Sequence, residues 1–395
     1  MISNLNISRR KLLTLSSAAV AGLSVNQLLS KAYAQEIQKS IAFSLPMLDT
    51  VVTPTLDNPI RLNFNENALG MSPNAKQAAI NAIPKANRYA KAEMPLLNKK
   101  LGQHHNVEDD HILLTAGSSE GIRSAIEAFC IPNTQLVIPE LTYSDGEHFA
   151  KIFNLKITKV SCLTDWQIDL RSIKKAVDEF NGFSIVYLVN PNNPTSTVFK
   201  ANELESWITS APKNMIFIVD EAYAEFVNDP DFHSVDSLIS NGAENVVLLK
   251  TFSKIHAMAG LRVGYVISSP NNIKNIAQYV AGEKLNYCGV CAALASMDDS
   301  QFLTYSKKAI DVSRTIMEQV LSELGLQYLK SETNFMFHKT PIDLQKYREL
   351  LQQNCVLVGR DFDPATNWCR ISLGTPGEML YVANLMRGLR ENKTI

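Results

Sequence analysis

Three charged side chains of this chain stand where apolar runs end or begin. Asp220 closes Ile216-Phe217-Ile218-Val219, Lys254 ends the segment Leu248-Leu249-Lys250-Thr251-Phe252-Ser253-Lys254, and Arg262 precedes Val263-Gly264. Desolvating such groups is costly unless a partner or a ligand compensates them. Asp220 and Lys254 alone read equally well as a structural ion pair or as working groups. Asn193, Tyr223 and Ser253 stand at adjacent run ends. Together the six side chains suit one ligand that bears a phosphate, a phenolic oxygen and a ring nitrogen.

Periodicity shows which elements position them. From about residue 110 to 270, short β-branched runs alternate with stretches of helical period, the pattern of a mostly parallel sheet with helices on both faces. Strands are expected at 112–115, 135–138, 156–160, 184–189, 215–219, 246–250 and 263–267. Ligands of open parallel sheets bind at the carboxyl ends of strands. Four polar insertions fall there: Gly117-Ser118-Ser119-Glu120-Gly121, Asn190-Pro191-Asn192-Asn193-Pro194-Thr195, Asp220-Glu221-Ala222-Tyr223 and the segment from Thr251 to Lys254. The first opens a helix, and its exposed N–H groups make a natural phosphate cradle.

That turn also fits G-x-S-x-G, the nucleophile elbow of serine hydrolases, so an esterase is a second reading. Against it, no HGG run precedes the turn, and the last histidine, His338, lies in an apolar strand-like run. Gly260-Leu261-Arg262-Val263-Gly264 lacks the third glycine and helix start of a dinucleotide fingerprint.

The 395 residues are 46% hydrophobic and 19% charged, enough for a large core in two parts. Residues 1–34 stand apart: Ser8-Arg9-Arg10-Lys11-Leu12-Leu13, a mild apolar stretch to Val25, then Ala32-Tyr33-Ala34. This is the build of a twin-arginine export signal cleaved near Ala34, which places the mature chain in the periplasm or outside the cell. Its removal takes four basic residues and no acid, moving the formal charge from −1 to −5. No basic surface for nucleic acid and no membrane partner are implied. Residues 35–75 carry Pro46, Pro54, Pro59 and Pro73 and read as an arm over the surface, followed by a large domain at 76–285 and a small α+β domain at 286–395. The latter holds a helix at about 300–324, strands at 334–338 and 368–373, and helices at 342–354 and 376–389. Six cysteines are too sparse for a disulfide framework, and Cys288-Gly289-Val290-Cys291 opens a small-residue run suited to helix packing. His104-His105 and His111 read as a solvated turn, so no metal site is expected.

Asn63-Phe64-Asn65-Glu66-Asn67, Arg88-Tyr89, Gly117-Ser118-Ser119, the run from Asn190 to Thr195, Asp220 to Tyr223, Ser253-Lys254, Gly260 to Gly264 and Arg370-Ile371-Ser372-Leu373-Gly374 follow one another in this order. On these markers, over about residues 60 to 390, the chain resembles the fold-type I pyridoxal-phosphate aminotransferases of class I/II, in the histidinol-phosphate aminotransferase group. The resemblance implies an α/β fold with a seven-stranded sheet, a homodimer, pyridoxal 5′-phosphate, and transfer of an amino group between an amino acid, or an amine like histidinol phosphate, and a 2-oxo acid. It implies that Lys254 holds the cofactor as a Schiff base and carries a proton, while Asp220 pairs with the ring nitrogen. Asn193 and Tyr223 would bond the phenolic oxygen, and Tyr143 would stack on the ring. Gly117, Ser118, Ser119, Ser253 and Arg262 would surround the phosphate, with Tyr89 reaching that of the other subunit. Arg370, helped by Asn65, would clamp the substrate carboxylate, and Arg360 would meet a substrate phosphate. Two departures stand out: Ser196 replaces a customary glycine after Thr195, and Gly359 precedes Arg360. A decarboxylase or lyase on the same fold is the nearest alternative, since the cofactor's electron sink is shared. A non-catalytic binding protein need not keep Lys254.

Overall fold

The computed structural model describes residues 52–395. The expected export signal and the first part of the arm lie outside the described residues. Eleven strands are described: β1 (Ile60–Leu62), β2 (Ile112–Thr115), β3 (Thr134–Pro139), β4 (Lys156–Val160), β5 (Phe183–Val189), β6 (Met215–Asp220), β7 (Val246–Thr251), β8 (Gly264–Ser268), β9 (Phe335–Lys339), β10 (Val356–Val358) and β11 (Trp368–Ser372). Seven form one sheet in the order β2-β8-β7-β6-β5-β3-β4. Only β8 runs antiparallel to its neighbours. The central strands β5, β6 and β7 are apolar on both faces because helices cover both. Leu101, Trp207 and Val290 pack on one face, and Ile122, Ile126, Ala150 and Ile276 on the other.

A second core joins the helices Ser300–Glu323 and Pro376–Glu391 through Met317, Val320, Val382 and Met386 to the antiparallel pair β9–β11. The helix Pro376–Glu391 starts with a capping box, Thr375 and Glu378 each bonding the other's backbone. Ala222, Tyr223, Phe226 and Ile255 belong to this core although they follow strands of the large sheet. The two cores therefore meet at the carboxyl ends of β6 and β7.

Three expectations need correction. Residues 60–67 do not run over the surface: β1 pairs in parallel with β10, and Ile60, Leu62, Asn65 and Asn67 are buried. Three residues are too few to show a period, and the partner strand is remote in sequence. The helix Tyr287–Met297, assigned to the small domain, packs on the large sheet's core through Val290, Ala292 and Ala293. His104 and His105 are not in a turn. They end the helix Glu93–His105, and His105 is 5% exposed, bonded to Asp236 Oδ2 at 2.8 Å and to the Tyr265 hydroxyl at 3.0 Å.

Candidate active site

A cavity of about 510 Å³ opens at the carboxyl ends of β2, β5, β6 and β7, between the two cores. At its floor Asp220 is 2% exposed. One carboxylate oxygen accepts the Ala222 N–H at 3.0 Å, and the other accepts the Tyr187 hydroxyl at 3.4 Å. Burial, reinforced by the nearby Asp145 carboxylate, pushes the Asp220 carboxyl up to about 7 against those bonds. The Lys254 ammonium favours the charged form too weakly to offset burial, and a ring N–H is the kind of partner that would restore the charge.

Lys254 reaches into the cavity from the loop after β7. Its Nζ donates to the Asn65 carbonyl at 3.2 Å and lies 5.3 Å from the centre of the Tyr223 ring. Tyr223 and Asn193 converge on one point: the Tyr223 hydroxyl accepts from Asn65 Nδ2 at 3.2 Å and from Asn193 Nδ2 at 3.5 Å. Tyr143 lines the cavity wall near Ser119 and Asp145.

An anion cradle sits at the start of the helix Ser118–Ala128. Gly117 adopts φ +82°, and a Cβ there would collide with the Arg262 guanidinium. Arg262 Nη1 donates to the Ala259 carbonyl at 3.0 Å and reaches Ser253 Oγ at 3.5 Å. Ser118, Ser119, Ser253 and Arg262 all line the cavity, so a guanidinium, three hydroxyls and a helix N-terminus face one volume. Ser119 Oγ donates to Asp145 Oδ2 at 2.7 Å and not to a histidine. The G-x-S-x-G turn is thus no nucleophile elbow.

Arg370, on β11, is 8% exposed. Its fork donates to Asn193 Oδ1 and to the Asn63 carbonyl, both at 2.8 Å, while its Nε has no partner among the described residues. Asn65 is held by Ser372, whose Oγ accepts the Asn65 N–H at 2.8 Å and donates to its Oδ1 at 3.2 Å. Arg360 stands at the exposed mouth, its guanidinium 4.7 Å from the Phe362 ring centre. Tyr89 is 64% exposed and does not line the cavity of its own chain. Sequence reasoning missed Asp145, Tyr187 and Arg348. Asp145 and Arg348 line the cavity, and Tyr187 bonds Asp220. Arg348 pairs with Asp361 at 2.9 Å from a polar helix that carries no marker.

The family model "Aminotransferase class I and II" matches residues 57–385. The chain belongs to the class I and II aminotransferases. Within them it is 31% identical over 323 residues to "Histidinol-phosphate aminotransferase 2" of Carboxydothermus hydrogenoformans, covering 81% of this chain and 88% of that one. A Staphylococcus aureus histidinol-phosphate aminotransferase is 34% identical over 308 residues, 75% of this chain and 82% of that one. A crystal structure from Erwinia carotovora atroseptica, named as a candidate histidinol-phosphate aminotransferase, is 59% identical with a TM-score of 0.87, covering 88% of this chain and all of that one. The Sinorhizobium meliloti histidinol-phosphate aminotransferase, solved with pyridoxal 5′-phosphate, shares the fold at 23% identity and a TM-score of 0.77, over 90% of this chain and 95% of that one. This class I/II enzyme is therefore a pyridoxal-phosphate-dependent aminotransferase of fold type I. The buried carboxyl, the lysine and the anion cradle fit that cofactor's ring nitrogen, carbonyl carbon and phosphate.

Proposed function

We propose that Lys254 is the residue that holds pyridoxal phosphate and moves the proton at the substrate's α-carbon, with Asp220 as counter-charge to the ring nitrogen. The supporting observation is the Asp220 carboxyl, buried and in no ion pair among the described residues, on the floor of a cavity that Lys254 also lines and whose other end is an anion cradle. When bound, the cofactor supplies an electron sink for the bond broken at that carbon. Asn193 and Tyr223 orient its phenolic oxygen, and Tyr143 covers its ring. Gly117, Ser118, Ser119, Ser253 and Arg262 take its phosphate. Arg370, with Asn65 behind it, binds the substrate carboxylate, and Arg360 meets an anionic substrate side chain such as that of histidinol phosphate. Borohydride should fix the cofactor covalently on Lys254. A wild-type protein that stays colourless after incubation with the cofactor would refute the assignment.

The working unit is a homodimer in this reading. Phe64, Ile83, Tyr89 and Leu96 are each about 60% exposed, an apolar surface suited to a second copy. Tyr89 would then reach the phosphate bound by the partner subunit. Sedimentation of the purified protein as a monomer would overturn this. Export through the twin-arginine route is tested by Arg9→Lys with Arg10→Lys, which should leave a folded, active enzyme in the cytoplasm.

A further inference from the structure

On the face of the sheet turned away from Asp220 lies a second set of ionisable groups. Lys250, next to the last residue of β7, is 5% exposed and meets Glu221 Oε2 and Glu225 Oε1, each at 3.2 Å. Glu221, fully buried, also accepts from Ser234 Oγ at 2.6 Å and from the Val235 N–H at 2.9 Å. Tyr265 faces Lys250 across the β7–β8 ladder, and its hydroxyl is linked through His105 to Asp236. Burial opposes the Lys250 charge, but Glu225 and Glu221 outweigh it and raise the lysine well above its ordinary value.

Stability does not explain an ion pair this deep, because well-packed apolar residues of similar volume often do as well or better. Its place in the chain is more telling. Glu221 follows Asp220 directly, Glu225 lies two residues past Tyr223, and Lys250 lies four before Lys254. The last backbone bond between the ends of β6 and β7 runs from the Glu221 N–H to the Leu249 carbonyl at 3.0 Å. Beyond it, the Lys250–Glu221 pair is the next link between the two strand ends.

We propose that Lys250 is a positioning residue for amino-group transfer. Its bonds to Glu221 and Glu225 fix the ends of β6 and β7 from the far face, so that the Asp220 carboxylate and Lys254 Nζ stand at the spacing the cofactor ring requires. The inference rests on the roles assigned above to Asp220 and Lys254. It adds a residue that touches neither cofactor nor substrate.

Three variants test it: Lys250→Met deletes the charge, Lys250→Arg keeps it, and Lys250→Met with Glu221→Met removes the buried pair and leaves only Glu225, whose side chain is 36% exposed. Cofactor affinity is read by quenching of protein fluorescence, kcat and KM are read separately, and stability is read from the urea midpoint. Lys250→Met should lose roughly tenfold or more in both kcat and cofactor affinity with KM within about twofold, while Lys250→Arg recovers most of the loss. The double variant should regain stability, since no uncompensated charge is left buried, without regaining kcat or affinity. Wild-type kcat and affinity in the double variant would overturn the proposal, as would losses that simply track the urea midpoint. If Lys250→Met does not fold, the double variant decides by the same criteria. Failure of the underlying reading shows elsewhere, as a Lys254→Ala protein still fixed by borohydride.

Discussion

The Arg370 guanidinium donates to Asn193 Oδ1 at 2.8 Å, and the same Asn193 reaches the Tyr223 hydroxyl through Nδ2 at 3.5 Å. The group proposed to clamp the substrate is thereby one residue away from those proposed to orient the cofactor. Arg370→Ala removes a charge-assisted fork in a desolvated pocket, which costs on the order of 3 kcal/mol or more. kcat/KM should fall about a hundredfold or more for every substrate. Arg370→Lys should not restore it, because an ammonium cannot reproduce the two parallel contacts. Steady-state rates with three chemically different amino donors check this, and a loss confined to one of them would contradict it.

Arg360 presents a different expectation. It lies exposed at the mouth, against Phe362, and donates to its neighbour's carbonyl at 3.2 Å. Arg360→Ala should depress kcat/KM strongly with histidinol phosphate, moderately with an acidic amino acid and little with an aromatic one. An equal loss for all three would remove the idea that Arg360 selects an anionic side chain.

Asp220 links folding stability to pH. An unfolded aspartate titrates near 3.9, whereas the folded, cofactor-free chain holds this carboxyl at about 7. The folded state thus favours the protonated form, and the stability that goes with it is full below about 4 and lost as pH rises through about 7. Cofactor-free Asp220→Asn escapes this loss, so its urea midpoint should rise relative to wild type between about pH 5 and about pH 8. The loaded variant should nevertheless turn over slower by orders of magnitude. A stability difference that does not change with pH would show that the carboxyl titrates normally.

His338 gives the opposite slope. It is fully buried on β9, its Nδ1 has no partner among the described residues, and burial pulls its imidazole down to about 4. An unfolded histidine titrates near 6.5, so this contribution is present above about 6.5 and lost as pH falls toward about 4. His338→Phe should flatten the acid limb of the stability profile, measured as urea midpoints across that window, while leaving activity at neutral pH near wild type. An unchanged acid limb would assign the loss to other groups.

The large sheet was legible because β5, β6 and β7 are buried on both faces and read as unbroken apolar runs. What escaped depends on partners distant in the chain. β1 is three residues long and exists because β10 lies beside it. The direction of β8 is invisible in its composition, since an edge-side antiparallel strand buried on both faces is as apolar as a parallel one. The cavity-lining Asn193, Asp220, Tyr223, Ser253, Lys254 and Arg262 could be named from strand-end chemistry, whereas Lys250 looked like one more residue in an apolar run. Its meaning lies in Glu221, one position past the end of a different strand. His105 misled for a related reason: a histidine next to acids reads as solvated until Tyr265 is seen closing over it.

The Asn65–Ser372 bonds join residues 307 positions apart. A ribosome therefore releases Asp220, Lys254 and the whole large sheet well before the two halves of the proposed substrate clamp can meet. Such a nascent chain holds the proposed cofactor-binding residues without the means to select a substrate. On the proposed roles, substrate discrimination is the last property that synthesis completes. A ribosome-stalled chain ending before β11 should show no amino-acid-dependent turnover.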